Sequence, residues 1–203
     1  MDNYGISRER AQAYFLNFDQ EEVIRAWGLE HDGEKLYVTF FGRRYAISRQ
    51  TGAVTRLWGG ETAGFGEVLS IFDLLCHDGV KTVSGQYAPV NSLKDCPPMG
   101  VGTDFHTGAA SRFDQDPEAF RRACLALGGT PVDMGDLGFR FPVFGELSVI
   151  LKFYRADEDF PASLTLLWDD NTLQFVFYET VFYMAGHLLA AIEDQMGHTV
   201  YWG

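Results

Sequence analysis

The fold class is decided by residues 35–58, KLYVTFFGRRYAISRQTGAVTRLW. Leu36, Val38 and Phe40 occupy alternate positions, which is the two-residue period of a strand that buries one face. Two short turns, each containing a glycine, then reverse the chain twice. Because such turns join neighbouring strands without a crossover, the segment predicts an antiparallel meander.

A second group of strands is predicted in the C-terminal half of the chain. Apolar residues alternate or run continuously over four segments, 137–141, 147–154, 162–168 and 173–177. Helical spacing of apolar residues occurs before, between and after the strands, at 7–18, 19–27, 65–76, 116–127 and 178–194. Hairpins rather than strand–helix–strand crossovers predict an α+β fold, with antiparallel sheets built from two meanders and helices packed on one side.

The length of 203 residues suits one α+β domain spanning 1–203. Two successive units of meander and helix also allow a two-lobed duplication, with lobes at 1–90 and 115–203. Between them, prolines and glycines interrupt every period from 91 to 114. We therefore predict a long loop there, of the kind that is usually functional or disordered.

Composition narrows the class of partner. The formal net charge is −12, and 46% of the residues are hydrophobic. A surface this negative repels phosphate backbones and anionic headgroups, so neither nucleic acid nor a membrane surface is an expected partner. The acidic start of the chain resembles no signal peptide, and no apolar run reaches the roughly 18 residues that a membrane span needs.

Cysteine and histidine usage indicates the compartment and the metal content. Cys76, Cys96 and Cys124 are odd in number and widely spaced, which suits reduced thiols rather than a disulfide framework. We therefore expect a cytoplasmic protein. No pair of histidines or cysteines has metal-chelating spacing, so spacing predicts no metal site.

The central stretch contains a candidate catalytic pair, Cys96 and His106. An imidazole can hold a nearby thiol as the reactive thiolate, so the two could act as nucleophile and base. Two alternatives stay open. The stretch could be a surface loop with incidental polar residues, or a lid over a pocket that needs no catalytic pair.

Acidic residues of the second meander form another candidate site. Asp157, Glu158 and Asp159 precede the strand at 162–168. A returning strand at 173–177 would deliver Glu179 to the same end of the sheet, beside the N-terminus of the last helix. These carboxylates are the predicted ligand-binding residues, and a divalent cation is one candidate ligand. The alternative is that they cap and solubilise the start of the helix.

Arginines of the first meander form a third candidate site. Arg43 and Arg44 lie in its first turn, and no acid occurs between 35 and 60. Such a patch could bind an anion, whereas the alternative is a solvated strand face. On the last helix, Tyr183 and His187 are predicted to face solvent, opposite the apolar stripe.

Motifs of the C-terminal half resemble one family. They are LGG at 127–129, GD at 135–136, FP at 141–142, DEDFPAS at 157–163 and LLWD at 166–169, followed by Glu179. They are similar to the family of domain of unknown function 3786, found mostly in anaerobic bacteria and archaea. In that family phenylalanine often stands where this chain has Trp168.

The resemblance implies no known activity, although it favours a role beside anaerobic one-carbon or corrinoid metabolism. Some relatives carry a cysteine-rich, cluster-binding segment that this chain lacks, so no cluster is expected here and the cofactor is left open.

Two functions from different classes are therefore predicted. The first, which we favour, is a non-catalytic binding or accessory domain for a small ligand or a partner protein, because aromatic residues are abundant and no catalytic motif is complete. The second is an enzyme that uses Cys96 with His106, or a divalent cation bound by the carboxylates.

Overall fold

Two antiparallel sheets and the surrounding helices form the part of the chain described by a computed structural model, residues 3–78, 81–97 and 107–197. The helices are α1 (Asn3–Leu16), α2 (Gln20–Trp27), α3 (Phe65–Cys76), α4 (Thr107–Gln115), α5 (Pro117–Ala126) and α6 (Tyr178–Gln195). The strands are β1 (Glu30–His31), β2 (Lys35–Phe40), β3 (Arg43–Ser48), β4 (Val54–Arg56), β5 (Tyr87–Pro89), β6 (Thr130–Pro131), β7 (Leu137–Phe144), β8 (Leu147–Tyr154) and β9 (Ser163–Asp169). The predicted α+β class is confirmed. The packing of all helices on one side stays a prediction.

The first sheet has the strand order β1-β2-β3-β4 and contains the predicted meander. In β2, Leu36, Val38 and Phe40 are buried while the residues between them are more exposed. The strand pairs antiparallel with β3, with Tyr37 opposite Ala46. The two-residue period of the sequence therefore decides which face of this strand enters the core.

The second sheet, with the order β5-β9-β8-β7-β6, corrects one predicted strand. Residues 173–177 form no strand, because the chain leaves β9 through a 3₁₀ turn at Thr172–Gln174. The place beside β9 is taken by β5, whose Tyr87 lies opposite Asp169. Since β5 is distant from β9 in the sequence, no local pattern could reveal this pairing.

The predicted loop from 91 to 114 is also corrected, because its last part is helical. Ala109, Ala110 and Phe113 of α4 are buried, and Phe113 stacks on Phe120 of α5 with 4.7 Å between ring centroids. Gly108 and the shortness of the apolar stripe hide this helix from the sequence pattern. Contact with α5 and β9, rather than strong periodicity of its own, fixes α4.

Several contacts join the two sheets. The backbone N–H of Phe41 donates to the carbonyl of Val143 at 3.0 Å, and α6 packs against both α3 and α5. Buried apolar residues of both sheets belong to one continuous core cluster. None of the described helices combines the length and the apolar character that a bilayer crossing needs.

Candidate binding cleft

The predicted acidic site begins at the loop between β8 and β9. One carboxylate oxygen of Asp157 accepts the backbone N–H groups of Asp159 and Phe160, at 2.9 and 2.7 Å. The first residue of this loop, Arg155, binds Asp114 at the end of α4, with 3.1 Å between Nε and Oδ1. The acids of this loop are exposed and form a local turn.

Glu179 does not join them. It lies in the first turn of α6, where the N–H of Phe177 donates to Asp73 at 2.8 Å and the hydroxyl of Tyr178 donates to Asn91 at 2.9 Å. The loop acids instead lie near α4, which binds the other end of α6 through Arg112 and Glu193.

Because a helix rises 1.5 Å per residue, Glu179 and Glu193 are about 20 Å apart along α6. The predicted carboxylate cluster therefore does not form, since the returning strand that was to create it is absent from the described residues. Throughout the described ranges, no three histidine, cysteine or acidic side chains group as metal ligands.

The predicted anion-binding arginines already have carboxylate partners. Arg43 lies 3.4 Å from Asp194 and its guanidinium carbon is 5.1 Å from the centre of the Trp58 ring. Arg44 pairs with Glu30. Both acids, Asp194 and Glu30, lie outside residues 35–60. The sequence suggested a free cationic patch because that stretch contains no acid of its own.

The predicted catalytic pair is only half described. Cys96 is partly buried, and its thiol donates to the carbonyl of Pro97 at 3.5 Å. His106 lies outside the described residues. The Cys96–His106 pair therefore stays a prediction.

A buried polar cluster, which was not predicted, surrounds Glu67 of α3. Its carboxylate accepts hydrogen bonds from the Tyr45 hydroxyl at 2.6 Å, from the Arg56 guanidinium, and from the N–H of Gly64 at 2.6 Å. Burial alone would raise the pKa of Glu67, but these donors outweigh it and leave the pKa below its usual value. The carboxylate is fully engaged in holding α3 on the first sheet.

His187 lies beside this cluster and corrects a second expectation, because it is not solvent-facing. Its ring stacks on Phe40 with 5.0 Å between centroids, and Nδ1 is 3.8 Å from the nearer oxygen of Glu67. Burial lowers the pKa of His187 to about 4. Tyr183, one turn earlier, is exposed as predicted. His187 is therefore buried where α6 contacts Phe40, at the end of β2, and the neighbouring Phe41.

An open cleft of about 430 Å³ lies between α2 and the end of α3. Its walls combine apolar and charged side chains, Phe18, Asp19, Glu22, Val23, Ala26, Trp27, Leu75, Cys76, His77, Asp78 and Lys81. Clefts that mix an apolar lining with a few polar groups are where small molecules usually bind.

Trp27 is held in a fixed position in this cleft. Its ring packs edge-on against Phe144, at 4.7 Å between centroids, and lies beside Phe175. Gly145 follows Phe144 with φ of 55°, and a Cβ there would lie 3.2 Å from the indole. The turn between β7 and β8 therefore needs a glycine both for its backbone conformation and for its contact with Trp27.

The ammonium group of Lys81 lies over the Trp27 ring, 4.8 Å from its centre. It also donates a hydrogen bond to the carbonyl of Leu74 at 3.1 Å, near the end of α3. Burial lowers the pKa of Lys81, although nearby acids partly offset the effect. Trp27 and Leu74 together define a position for a cation.

Exposed aromatic rings flank the cleft. Tyr14 is 45% exposed and contacts Phe18 with 4.8 Å between ring centroids. Phe177 is 58% exposed and contacts His77, another lining residue, with 4.6 Å between ring centroids. Apolar surface grouped at a cleft is typical of a binding site.

Comparison with known proteins supplies a family. A family model described as Domain of unknown function (DUF3786) matches residues 19–191. The chain belongs to this family. The predicted resemblance is thereby confirmed, and the DUF3786 match includes both sheets and the cleft from Asp19 to Lys81. No curated protein and no solved structure matches the chain.

The cleft of this DUF3786 member was missed because each of its residues fits an ordinary structural role. The periodicity of α2 places Val23, Ala26 and Trp27 on its buried side, yet Ala26 is exposed in the cleft. A helix whose apolar stripe is wider than the part that the core buries, as in α2, is a usable signal of a binding surface. Lys81 carries no such signal, because only the packing of α2 beside α3 brings it to Trp27.

Proposed function

We propose that the protein is a non-catalytic binding domain that holds a small organic ligand in the Trp27 cleft. The observation that carries this proposal is a rigidly supported indole at a cleft of about 430 Å³, with exposed aromatic rings in contact with two of its lining residues. Rigid aromatic surface loses little conformational freedom when a ligand packs on it, so it favours binding.

The chemistry of the buried groups supports binding over catalysis. The carboxylate of Glu67 is saturated by hydrogen bonds from Tyr45, Arg56 and Gly64, so it is not available as a base. Burial raises the pKa of Cys76 to about 12, which disfavours the reactive thiolate in the cleft wall.

The expected cellular setting belongs to the same proposal. Cys76, Cys96 and Cys124 are free thiols, which supports a reducing, cytoplasmic location. The net charge of −12 argues against nucleic acid as a partner. A protein partner, and a role in an anaerobe beside one-carbon or corrinoid metabolism, stay predictions.

A thermal-shift screen of small metabolites tests this function. A ligand present at 100 times its Kd stabilises the folded state by about 2.7 kcal/mol, which is readily seen as a rise in Tm. Ala26→Trp should fill the cleft from an exposed helical position and abolish the shift. Ala126→Trp, at an exposed position of α5, is the matched control and should keep it.

Two outcomes would refute the proposed site. The first is a hit that shifts the Tm of the wild type and of Ala26→Trp equally. The second is a broad screen in which no compound shifts the wild type.

A further inference from the structure

We propose that the ligand of this cleft carries a protonated amine, which replaces the ammonium group of Lys81 over the Trp27 ring. This inference rests on the function proposed above and names the class of ligand. The lysine is, in this view, a resident cation that occupies the site until the ligand displaces it.

The position offers two kinds of contact at once. The Lys81 ammonium lies 4.8 Å from the centre of the Trp27 ring and donates to the Leu74 carbonyl at 3.1 Å. A ligand ammonium with N–H groups can make both contacts. A quaternary ammonium keeps only the attraction to the ring, because it has no hydrogen to donate.

The charge of the cleft lining favours a cation. Among the described lining residues, three are acids, Asp19, Glu22 and Asp78, and one is a lysine. Asp19 caps α2 through a single oxygen, Oδ1, which accepts the N–H groups of Glu21 and Glu22. An incoming anion would meet repulsion from these carboxylates, whereas an ammonium group would be attracted.

Lys81 is suited to exchange with a ligand. It lies outside helices and strands, and its flexible side chain reaches the cleft from the segment that follows α3. Confining its ammonium in a half-buried position also carries a desolvation cost, seen in its lowered pKa. A ligand amine that takes its place lets Lys81 return to water.

The flanking rings define the rest of the ligand. Tyr14 contacts Phe18 and Phe177 contacts His77, and both Phe18 and His77 line the cleft. These surfaces suit an apolar or aromatic group attached to the amine. The class is therefore aryl- or alkylammonium compounds.

Four matched probes test the inference on the full chain. They are benzylammonium, benzyltrimethylammonium, benzyl alcohol and benzoate, which share a ring and differ in charge and in N–H groups. We expect benzylammonium to bind about tenfold more tightly than benzyl alcohol or benzoate, with benzyltrimethylammonium between. Titrations followed by two-dimensional NMR would give each Kd and show the indole N–H of Trp27 shifting.

Removing the Lys81 ammonium should raise the affinity for the ligand, whereas removing a side chain that contacts the ligand would lower it. Lys81→Met should strengthen benzylammonium binding about tenfold, because the competitor is gone. Lys81→Gln removes the charge but keeps a donor for the Leu74 carbonyl, and it should also strengthen binding. It serves as the second variant in case loss of the hydrogen bond at the end of α3 destabilises Lys81→Met. Lys152→Met is the control, since Lys152 lies over Tyr154 at 5.3 Å and outside the cleft.

The outcomes separate this inference from the proposed function. If benzyl alcohol or benzoate binds as well as benzylammonium, or if both Lys81 variants weaken binding, the amine inference is wrong. Binding lost in Ala26→Trp would still support the cleft. If no benzyl probe binds but another compound from the screen does so in the cleft, only the inference fails. If nothing binds, both fail.

Discussion

His187 shows how a polar residue can be buried without a charge. Phe40 and Phe41 pack on its ring, and the charged groups that face it are Glu67, Arg43 and Arg56. Its Nε2 atom is buried without a hydrogen-bond partner among the described residues. A charged imidazole would be costly here, so the neutral form is strongly favoured.

This environment makes folding stability depend on pH in a defined window. The pKa of His187 is lowered from 6.5 to about 4 in the folded protein, so between these values the unfolded chain takes up a proton that the folded chain does not. The contribution of the neutral His187 imidazole to the free energy of unfolding is therefore fully present above pH 6.5, and it is lost as the pH decreases toward 4. The loss due to this residue is about 3 kcal/mol.

The measurement is urea unfolding of the wild type and of His187→Gln from pH 7.5 to 4. The glutamine variant should show a shallower fall, because its side chain does not titrate. Values at pH 7.5, where the imidazole is neutral in both states, provide the reference for each protein. Parallel curves for the two proteins would show that the imidazole is not held neutral.

At the scale of elements, one buried carboxylate makes several of the hydrogen bonds that attach the segment before β5 to the second sheet. Asp169 is 1% exposed and accepts the N–H groups of Ser84, Gly85 and Asn171 at 2.8 to 3.0 Å. It also accepts the hydroxyl of Ser84 at 3.1 Å. Because Lys81 begins this segment, the same carboxylate helps to position one wall of the cleft.

Asp169→Asn should lower the free energy of unfolding by about 2–4 kcal/mol, since an amide cannot accept all of these donors. Its neighbour Asp170 is the matched control. That carboxylate pairs at 3.0 Å with Lys94, whose side chain is 58% exposed, so Asp170→Asn should cost less than about 1 kcal/mol.

Chemical denaturation of both variants checks this prediction, and hydrogen exchange at Ser84 and Gly85 shows whether the segment is released. Equal stability of the two variants would contradict the anchoring role of Asp169.

At the scale of the whole molecule, the two sheets share one core. The Phe41–Val143 hydrogen bond and the packing of α6 on α3 and α5 tie them together. A shared apolar core disfavours partial unfolding, because unfolding one sheet would expose the apolar surface of the other to water.

We therefore expect one cooperative unfolding transition, as suits the single domain predicted from the sequence, rather than one for each of the two lobes that the sequence also allows. Far-UV circular dichroism and tryptophan fluorescence should give coincident urea curves. Hydrogen exchange near the urea midpoint should show that the backbone amides of β2 and β8 lose protection together. Two separated transitions, one for each sheet, would instead identify lobes that fold independently.

Much of the fold could be predicted because the local spacing of apolar residues determines which segments form strands and helices. The alternation of Leu36, Val38 and Phe40 predicts their burial, and the C-terminal motifs predict the family that residues 19–191 confirm. The apolar stripe from Phe65 to Cys76 predicts a helix, and α3 is found there. These features depend on neighbours within one or two turns of the chain.

Only the tertiary structure decided the pairing of β5 with β9, the inward turn of His187 and the placing of Lys81 over Trp27. Each depends on which distant surfaces meet when the core closes. Loop closure and burial are properties of the whole chain, so spacing within a segment carries no record of them. The sequence by itself determined the α+β class and the family, whereas packing decided which side chains share the cleft.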